Sequence, residues 1–222
     1  MAGNTNFIFI TSIGAIVAAS LYAAFDAQQT AQFAHASYIS THRAFVSVTK
    51  LDVQLAYSPS DPKLFVGWTF APIVQNSGPT PTRSLKLLVG VQPTGDSIGL
   101  PDPEVALTNH TPTKMVVGPR TSVMLPVSSS SDLSVASDMI QKVASGKTNA
   151  FVFGTVHYND VFERALRHIT KYCFQIDAHG DGSPSTKVGY HFCRFWNCAD
   201  YECIADKAEH ERAELEAPRA PK

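Results

Sequence analysis

Nineteen consecutive residues without a charge, Phe7 to Phe25 (FIFITSIGAIVAASLYAAF), constrain this chain more than any other feature. As an α-helix they reach about 28 Å, close to the hydrocarbon thickness of a bilayer. Inside lipid a helix satisfies its own backbone, so the stretch reads as a transmembrane anchor over residues 1–25. Tyr22 and Phe25 then sit near one interface, and Asp26 is the first charge beyond it. A cleaved signal peptide is the competing reading. Against it, MAGNTN has no Lys or Arg, and the apolar run is longer than a normal signal core. A buried core helix is the third reading. The flanks carry too few Lys and Arg to orient the span: Arg43 and Lys50 are the first on the C-terminal side.

Residues 26–42 (DAQQTAQFAHASYISTH) contain no Pro or Gly and are rich in Ala and Gln, good helix formers. A helical stalk continuing the anchor is expected, with Phe33, Ala34, Ser37 and Tyr38 as a weak apolar stripe. At Arg43 the character changes. Strands are expected in AFVSVTKLDVQLAY, LFVGWTFAPIVQ (with Pro72 at a bulge or edge), RSLKLLVGVQ, MVVG, TSVMLPV, FVFGTVHYND, HITKYCFQID and KVGYHFCRFW. Turn formers dominate Pro93–Pro112, which reads as an excursion outside the core. Leu133, Ala136, Ile140 and Val143 recur at helical spacing. They predict one short inserted helix over Ser131–Val143, capped by Ser130 or Ser131 and ended by Gly146. The fold expected over residues 43–203 is mainly β, an antiparallel sandwich, because strands do not alternate regularly with helices. Residues 204–222 read as a charged tail, flexible or helical.

Three segments carry a resemblance to a known family: RAFV at Arg43–Val46, NSGPTP at Asn76–Pro81, and Phe153–Cys173. In the last, Gly154, Tyr158, Asp160, Phe162, His168 and Cys173 stand at the marked positions. The chain resembles uncharacterised inner-membrane proteins of rhizobial and other proteobacteria. The resemblance implies one N-terminal transmembrane helix and an immunoglobulin-like β-sandwich of unassigned function, with no catalytic residues to transfer. The motifs also have a purely structural reading. Asn76 and Gly78 suit a tight loop, and Gly154 permits a bulge or close approach.

The four cysteines, Cys173, Cys193, Cys198 and Cys203, are the strongest chemical candidates, as a disulfide or thiol cluster. Zinc is one reading, with His191 as a further ligand, but no CxxC knuckle is present. Disulfides allow three pairings, and the sequence does not choose among them. Cys173 and His168 lie five apart on one expected strand, hence on opposite faces, which argues against a thiol dyad. No GxSxG elbow, phosphate loop or dinucleotide fingerprint occurs. HGDGS at His179–Ser183 reads as a hairpin turn. A formal net charge of -1 with scattered Lys and Arg gives no field for nucleic acid.

These readings lead to a single-pass protein of the bacterial inner membrane, its soluble side undetermined. The leading function is a non-enzymatic interaction or scaffold module, with no cofactor, no metal and no catalytic residue assigned. Its expected partners are the lipid bilayer and a protein or a second copy of itself. The alternatives are an accessory subunit of a membrane complex, and a metal-binding or enzymatic domain built on the cysteines.

Overall fold

The structure is a computed structural model that describes residues 5–94, 99–124, 133–162 and 167–216, with side chains described from residue 20 to residue 215 of these. The chain divides into two compact units at Arg43/Ala44, where the sequence changes character.

The first unit is one helix, α1 (Thr5–His42), so stalk and apolar stretch form a single element. Thr30 and Thr41 return their hydroxyls to the carbonyls of Asp26 and Ser37, one turn back, and His42 Nδ1 lies 2.9 Å from the Tyr38 carbonyl. Among the described residues, no helix is long and apolar enough to cross a membrane. Most of the expected transmembrane segment falls on residues 1–19, which lie outside those whose side chains are described.

The second unit is mainly β, in two antiparallel sheets. One sheet joins β1 (Val46–Ser58), β2 (Asp61–Asn76), β5 (Thr121–Met124) and β6 (Ser134–Ala136), in the order β1-β2-β5 with β6 also on β2. The other joins β3 (Arg83–Thr94), β4 (Thr113–Met115), β7 (Asn149–Asn159), β8 (His168–His179), β9 (Lys187–Phe192) and β10 (Cys198–Ala199). Its order is β10-β8-β7-β3-β4, with β9 also on β8. Val48, Leu51, Trp68, Phe70 and Val74 of the first sheet share one core with Leu85, Leu87, Val152, Tyr172 and Phe174 of the second. Burying side chains of this size stabilises the fold by about 2 kcal/mol each, offset by the entropy of ordering the chain. The β8–β9 hairpin turns through Gly180–Thr186, as HGDGS predicts, with Gly182 at φ 81°.

Two expectations need correction. The period-3.6 reading of Ser131–Val143 fails in its first half. Leu133 and Val135 are buried in alternation and lead into β6, which pairs with Gly67–Thr69, so the helix α3 is only Ser137–Ala144. Its N-cap is Ala136, without a side-chain cap bond, while Gly146 at φ 68° ends the segment as expected; Ser130 and Ser131 lie outside the described residues. The strand expected over KVGYHFCRFW stops at Phe192, and Cys193–Asn197 leave the sheet.

The segment after β3 also departs from the sequence reading. β7 and β8 are buried on both faces, which is why FVF and YCF are continuous apolar runs rather than alternations. A second core covers the far face of this sheet. Leu100 and Leu107, flanking the short helix α2 (Pro103–Ala106), meet Phe151, Phe153, Cys173, Cys193, Phe195 and Trp196 there. Pro93–Pro112 is therefore no simple excursion. The tail contributes as well: α4 (Glu202–Glu216) places His210 against Phe195 and Trp196 with ring centroids 5.1 and 4.7 Å apart, and His210 is buried.

Candidate functional site: a polar knot and a cysteine-lined groove

Most of the residues singled out by the sequence gather at two places. The first is the start of β1. Asn76 is fully buried at the end of β2. Its Oδ1 accepts from the backbone N–H of Phe45 (3.1 Å) and of Gly78 (3.0 Å). Its Nδ2 donates to the carbonyls of Thr80 (2.7 Å) and Gly118 (3.0 Å). One amide thus ties the start of β1, its own loop and the β4–β5 connection together. Asp160, also buried, accepts the Ala44 N–H at 2.9 Å through Oδ1 and meets His168 Nε2 at 2.8 Å through Oδ2. His168 Nδ1 meets Asp200 Oδ2 at 2.8 Å, and Asp200 Oδ1 accepts the Ile169 N–H. The imidazole therefore has a carboxylate at each nitrogen, and its ring stacks on Tyr158 with centroids 5.1 Å apart. The Tyr158 hydroxyl lies between the Ala44 carbonyl and the Val46 N–H, and Thr170 donates to the Val46 carbonyl at 2.8 Å.

Asn76, Tyr158 and Asp160 therefore converge on residues 44–46, with Gly78 and His168 joined to them through Asn76 and Asp160, although up to 116 positions separate the bonded partners. Gly154 stands apart, in mid-β7. A Cβ there would overlap the Leu88 carbonyl oxygen and the Tyr172 hydroxyl, so glycine is required by close approach. Phe162 is half-buried beyond β7. The Tyr172 hydroxyl is held far above its ordinary pKa by complete burial. His157, on the opposite face of β7, is held below its ordinary value, chiefly by burial and then by Arg167.

The second place is the C-terminal knot. The cysteines pair as Cys173–Cys193 and Cys198–Cys203. Among the described residues no group of three or more His, Cys, Asp or Glu is arranged to hold a metal ion, and each thiol is committed to a disulfide. His191 faces Asp177 at 2.8 Å instead. Cys173 joins the outer core while His168 belongs to the knot on the other face, as the strand period requires. Asn197 fixes the loop: its Oδ1 accepts the Cys173 N–H, and its Nδ2 donates to the carbonyls of Cys193 and Phe195. Trp196 has φ 64°, a left-handed conformation that costs an ordinary side chain about 1–2 kcal/mol. It is held by Asp206, which accepts its N–H at 2.7 Å, and by the Leu100 carbonyl, which accepts from its indole at 3.3 Å. Burial holds the Asp206 carboxyl above its ordinary pKa, and the bond from Trp196 opposes that shift.

Beside this knot Lys171 is buried on the outer face of β8. Its Nζ lies 2.6 Å from Asp102 Oδ1 and 5.2 Å from the Trp196 ring centroid. Asp102 also caps α2 by accepting the Glu104 N–H. Sequence reasoning missed Lys171, Asp102, Asp200, Asp206 and Asn197. A lysine inside an otherwise apolar two-faced strand was the available signal for the first.

An open groove of about 370 Å³ runs between the two places. One wall is Val46–Thr49 of β1; the other includes Thr170–Tyr172, Phe192, Asn197, Cys198 and Glu202. β1 is an edge strand. Val46 gives its outward backbone groups to Tyr158 and Thr170, and Leu51 gives both of its own to Tyr190. Val48, inward-facing like both, directs its backbone groups the same way, toward the groove.

No family model, no curated protein and no solved structure matches this chain.

Proposed function

We propose that the chain is a single-pass, membrane-tethered interaction module. In this reading the stretch Phe7–Phe25 anchors it in a bacterial inner membrane, and an immunoglobulin-like sandwich stands on the oxidising, periplasmic side. The observation that carries the reading is the pairing of all four cysteines within a domain that follows an uncharged 19-residue apolar stretch. Disulfides persist in oxidising compartments and are rare in the bacterial cytosol. The strand orders β1-β2-β5 and β4-β3-β7-β8 follow the A-B-E and C′-C-F-G arrangement of immunoglobulin-type sandwiches, which supports the finer fold reading.

A non-enzymatic role is favoured by what the buried polar side chains do. Asn76, Asp160 and Thr170 bond the backbone at residues 44–46, Asn76 also holds the backbone of Gly78, Thr80 and Gly118, and His168 joins Asp160 to Asp200. They moor the start of the domain, and of the four only Thr170 reaches the groove wall. The groove beside β1 is the surface offered to a partner, an extended segment of another protein that adds to the edge at Val48. The test is site-specific photo-crosslinking in cells from an unnatural residue at Thr49, an exposed position on the groove wall. The reading expects one discrete protein adduct that is absent when the probe replaces Gln54, an exposed position farther along the same strand. Equal adducts from both positions would contradict a groove-directed partner.

A further inference from the structure

The two disulfides sit in contrasting surroundings. Cys173 is fully buried and Cys193 nearly so, within the outer core beside Phe151, Phe153, Phe195 and Trp196. Cys198 is partly buried and lines the groove. Its partner Cys203 is buried in the first turn of α4. The covalent loop between them is short, with a sequence separation of 5. Tyr201 inside that loop is 79% exposed, and Ile204 beside it 75%. Phe192, on the groove wall next to Cys198, is 53% exposed. Asp200, also within the loop, is held at φ 50°. A partly exposed cysteine on the groove wall, exposed apolar side chains and a non-glycine residue in a left-handed conformation thus fall within residues 192–204.

We propose that Cys198–Cys203 is an exchangeable disulfide whose substrate is a dithiol on an extended segment of a partner protein lying in the groove. This rests on the reading of the groove as a protein-binding surface. A thiolate of the partner attacks Cys198 Sγ; a partner–Cys198 bond forms and the Cys198–Cys203 bond breaks. The electron pair leaves on Cys203 Sγ, in the N-terminal turn of α4, where the helix dipole favours a thiolate and the neighbouring Glu202 opposes it. The partner's second thiol loses its proton and attacks the partner sulfur bound to Cys198, expelling the Cys198 thiolate. The partner dithiol is oxidised to a disulfide, and Cys198–Cys203 is reduced to two thiols once both thiolates take up protons. Cys173–Cys193 takes no part, because its sulfurs lie in the apolar layer.

Exchange also loosens the polar knot. Asp200 lies inside the Cys198–Cys203 loop and holds both His168 Nδ1 and the Ile169 N–H. Opening the loop frees the segment that supplies one of the two carboxylates flanking His168.

The experiment uses the full chain in detergent micelles under native conditions. It is pulsed with dithiothreitol, quenched with acid, alkylated and mapped by mass spectrometry. The proposal expects Cys198 and Cys203 to become labelled together, roughly tenfold or more faster than Cys173 and Cys193, since exchange rates follow access to the attacked sulfur. A second measurement uses Cys203→Ser and Cys198→Ser with oxidised glutathione. Cys198 in the first variant is expected to form the mixed disulfide readily, and Cys203 in the second to lag well behind. Equal labelling of both pairs in the wild-type chain, or earlier labelling of Cys173–Cys193, overturns the proposal. So does a Cys203 thiol as reactive as that of Cys198. If either variant does not fold, the wild-type pulse decides alone. Such a failure leaves crosslinking from Thr49 unaffected, so loss of the exchange proposal is distinguishable from loss of the binding reading.

Discussion

Replacing Asn76 with Ala is expected to remove a large share of the stability of the β unit. The side chain is fully buried and makes four bonds of 2.7 to 3.1 Å, to Phe45 N, Gly78 N, Thr80 O and Gly118 O. A net intramolecular hydrogen bond contributes about 1 kcal/mol, and a buried group left without a partner costs more. Four such groups give about 4 kcal/mol, less whatever water entering the vacated space restores. Against a total of about 5–15 kcal/mol for an ordinary domain, that brings the fold near its threshold. With a urea dependence of about 2 kcal/mol per molar, the midpoint falls by about 2 M. The assay is urea titration of the full chain in detergent, followed by tryptophan fluorescence, with Trp68 reporting the core between the sheets. Asn76→Asp retains acceptors toward Phe45 and Gly78 but turns an acceptor on the Thr80 and Gly118 carbonyls, so it is expected to be no better than Ala. Ser77→Ala, at an exposed neighbour, is the control and should stay within about 0.5 kcal/mol. A loss below about 1 kcal/mol for Asn76→Ala, with two-state unfolding intact, refutes the mooring argument.

Three further outcomes are expected. Replacing both members of Cys173–Cys193 with Ser should cost about 3 kcal/mol from loop entropy, against about 2 kcal/mol for Cys198–Cys203; the separations are 20 and 5, and thermal melts of the two double variants provide the comparison. Gly154→Ala should prevent folding or shift the urea midpoint by more than 1 M at the slope quoted above, because the overlapped Leu88 oxygen is backbone and cannot move aside cheaply; expression of soluble, protease-resistant protein in detergent reads this out. The depressed pKa of His157 makes stability depend on pH in a defined direction. Its folded value lies below the unfolded 6.5, so the unfolded chain binds the proton first and stability is lost as pH falls from 6.5 toward the folded value. His157→Gln should flatten that part of the urea-midpoint profile, and an unchanged slope would show the burial of His157 to be energetically silent.

Most of the strand runs and the boundary at Arg43 were legible because they depend on local chemistry: β-branched and aromatic alternation, turn residues, and the end of an Ala- and Gln-rich stretch; the strand expected over MVVG lies instead at Thr113–Met115. The second core was not. Leu100 and Leu107 are sparse apolar residues in a segment dominated by turn formers, and only their contact with the outer face of β7 and β8 makes them core. The same cause explains β6. Leu133, Ala136 and Ile140 satisfy a helical period by coincidence, and pairing with Gly67–Thr69 overrides it. For the cysteines, spacing left three pairings open. The choice follows from β8 pointing Cys173 outward while Asn197 folds the 193–197 loop back on it. The polar knot was half legible. Asn76, Tyr158, Asp160 and His168 stood out individually, but their common target at residues 44–46 lies 30 to more than 100 positions away in sequence for most of them. Asp200 gave no signal, since one aspartate in a polar turn is ordinary until its neighbour in space is known.

The central claim is that the disulfide-bearing domain stands in an oxidising compartment on the far side of a membrane anchor. The direct test is to fuse a periplasm-active phosphatase and, separately, a cytoplasm-active fluorescent reporter after Lys222 in bacterial cells. The account predicts phosphatase activity with little fluorescence, and recovery of the phosphatase fusion in the membrane fraction. Fluorescence without phosphatase activity would place the cysteines in a reducing compartment and contradict it.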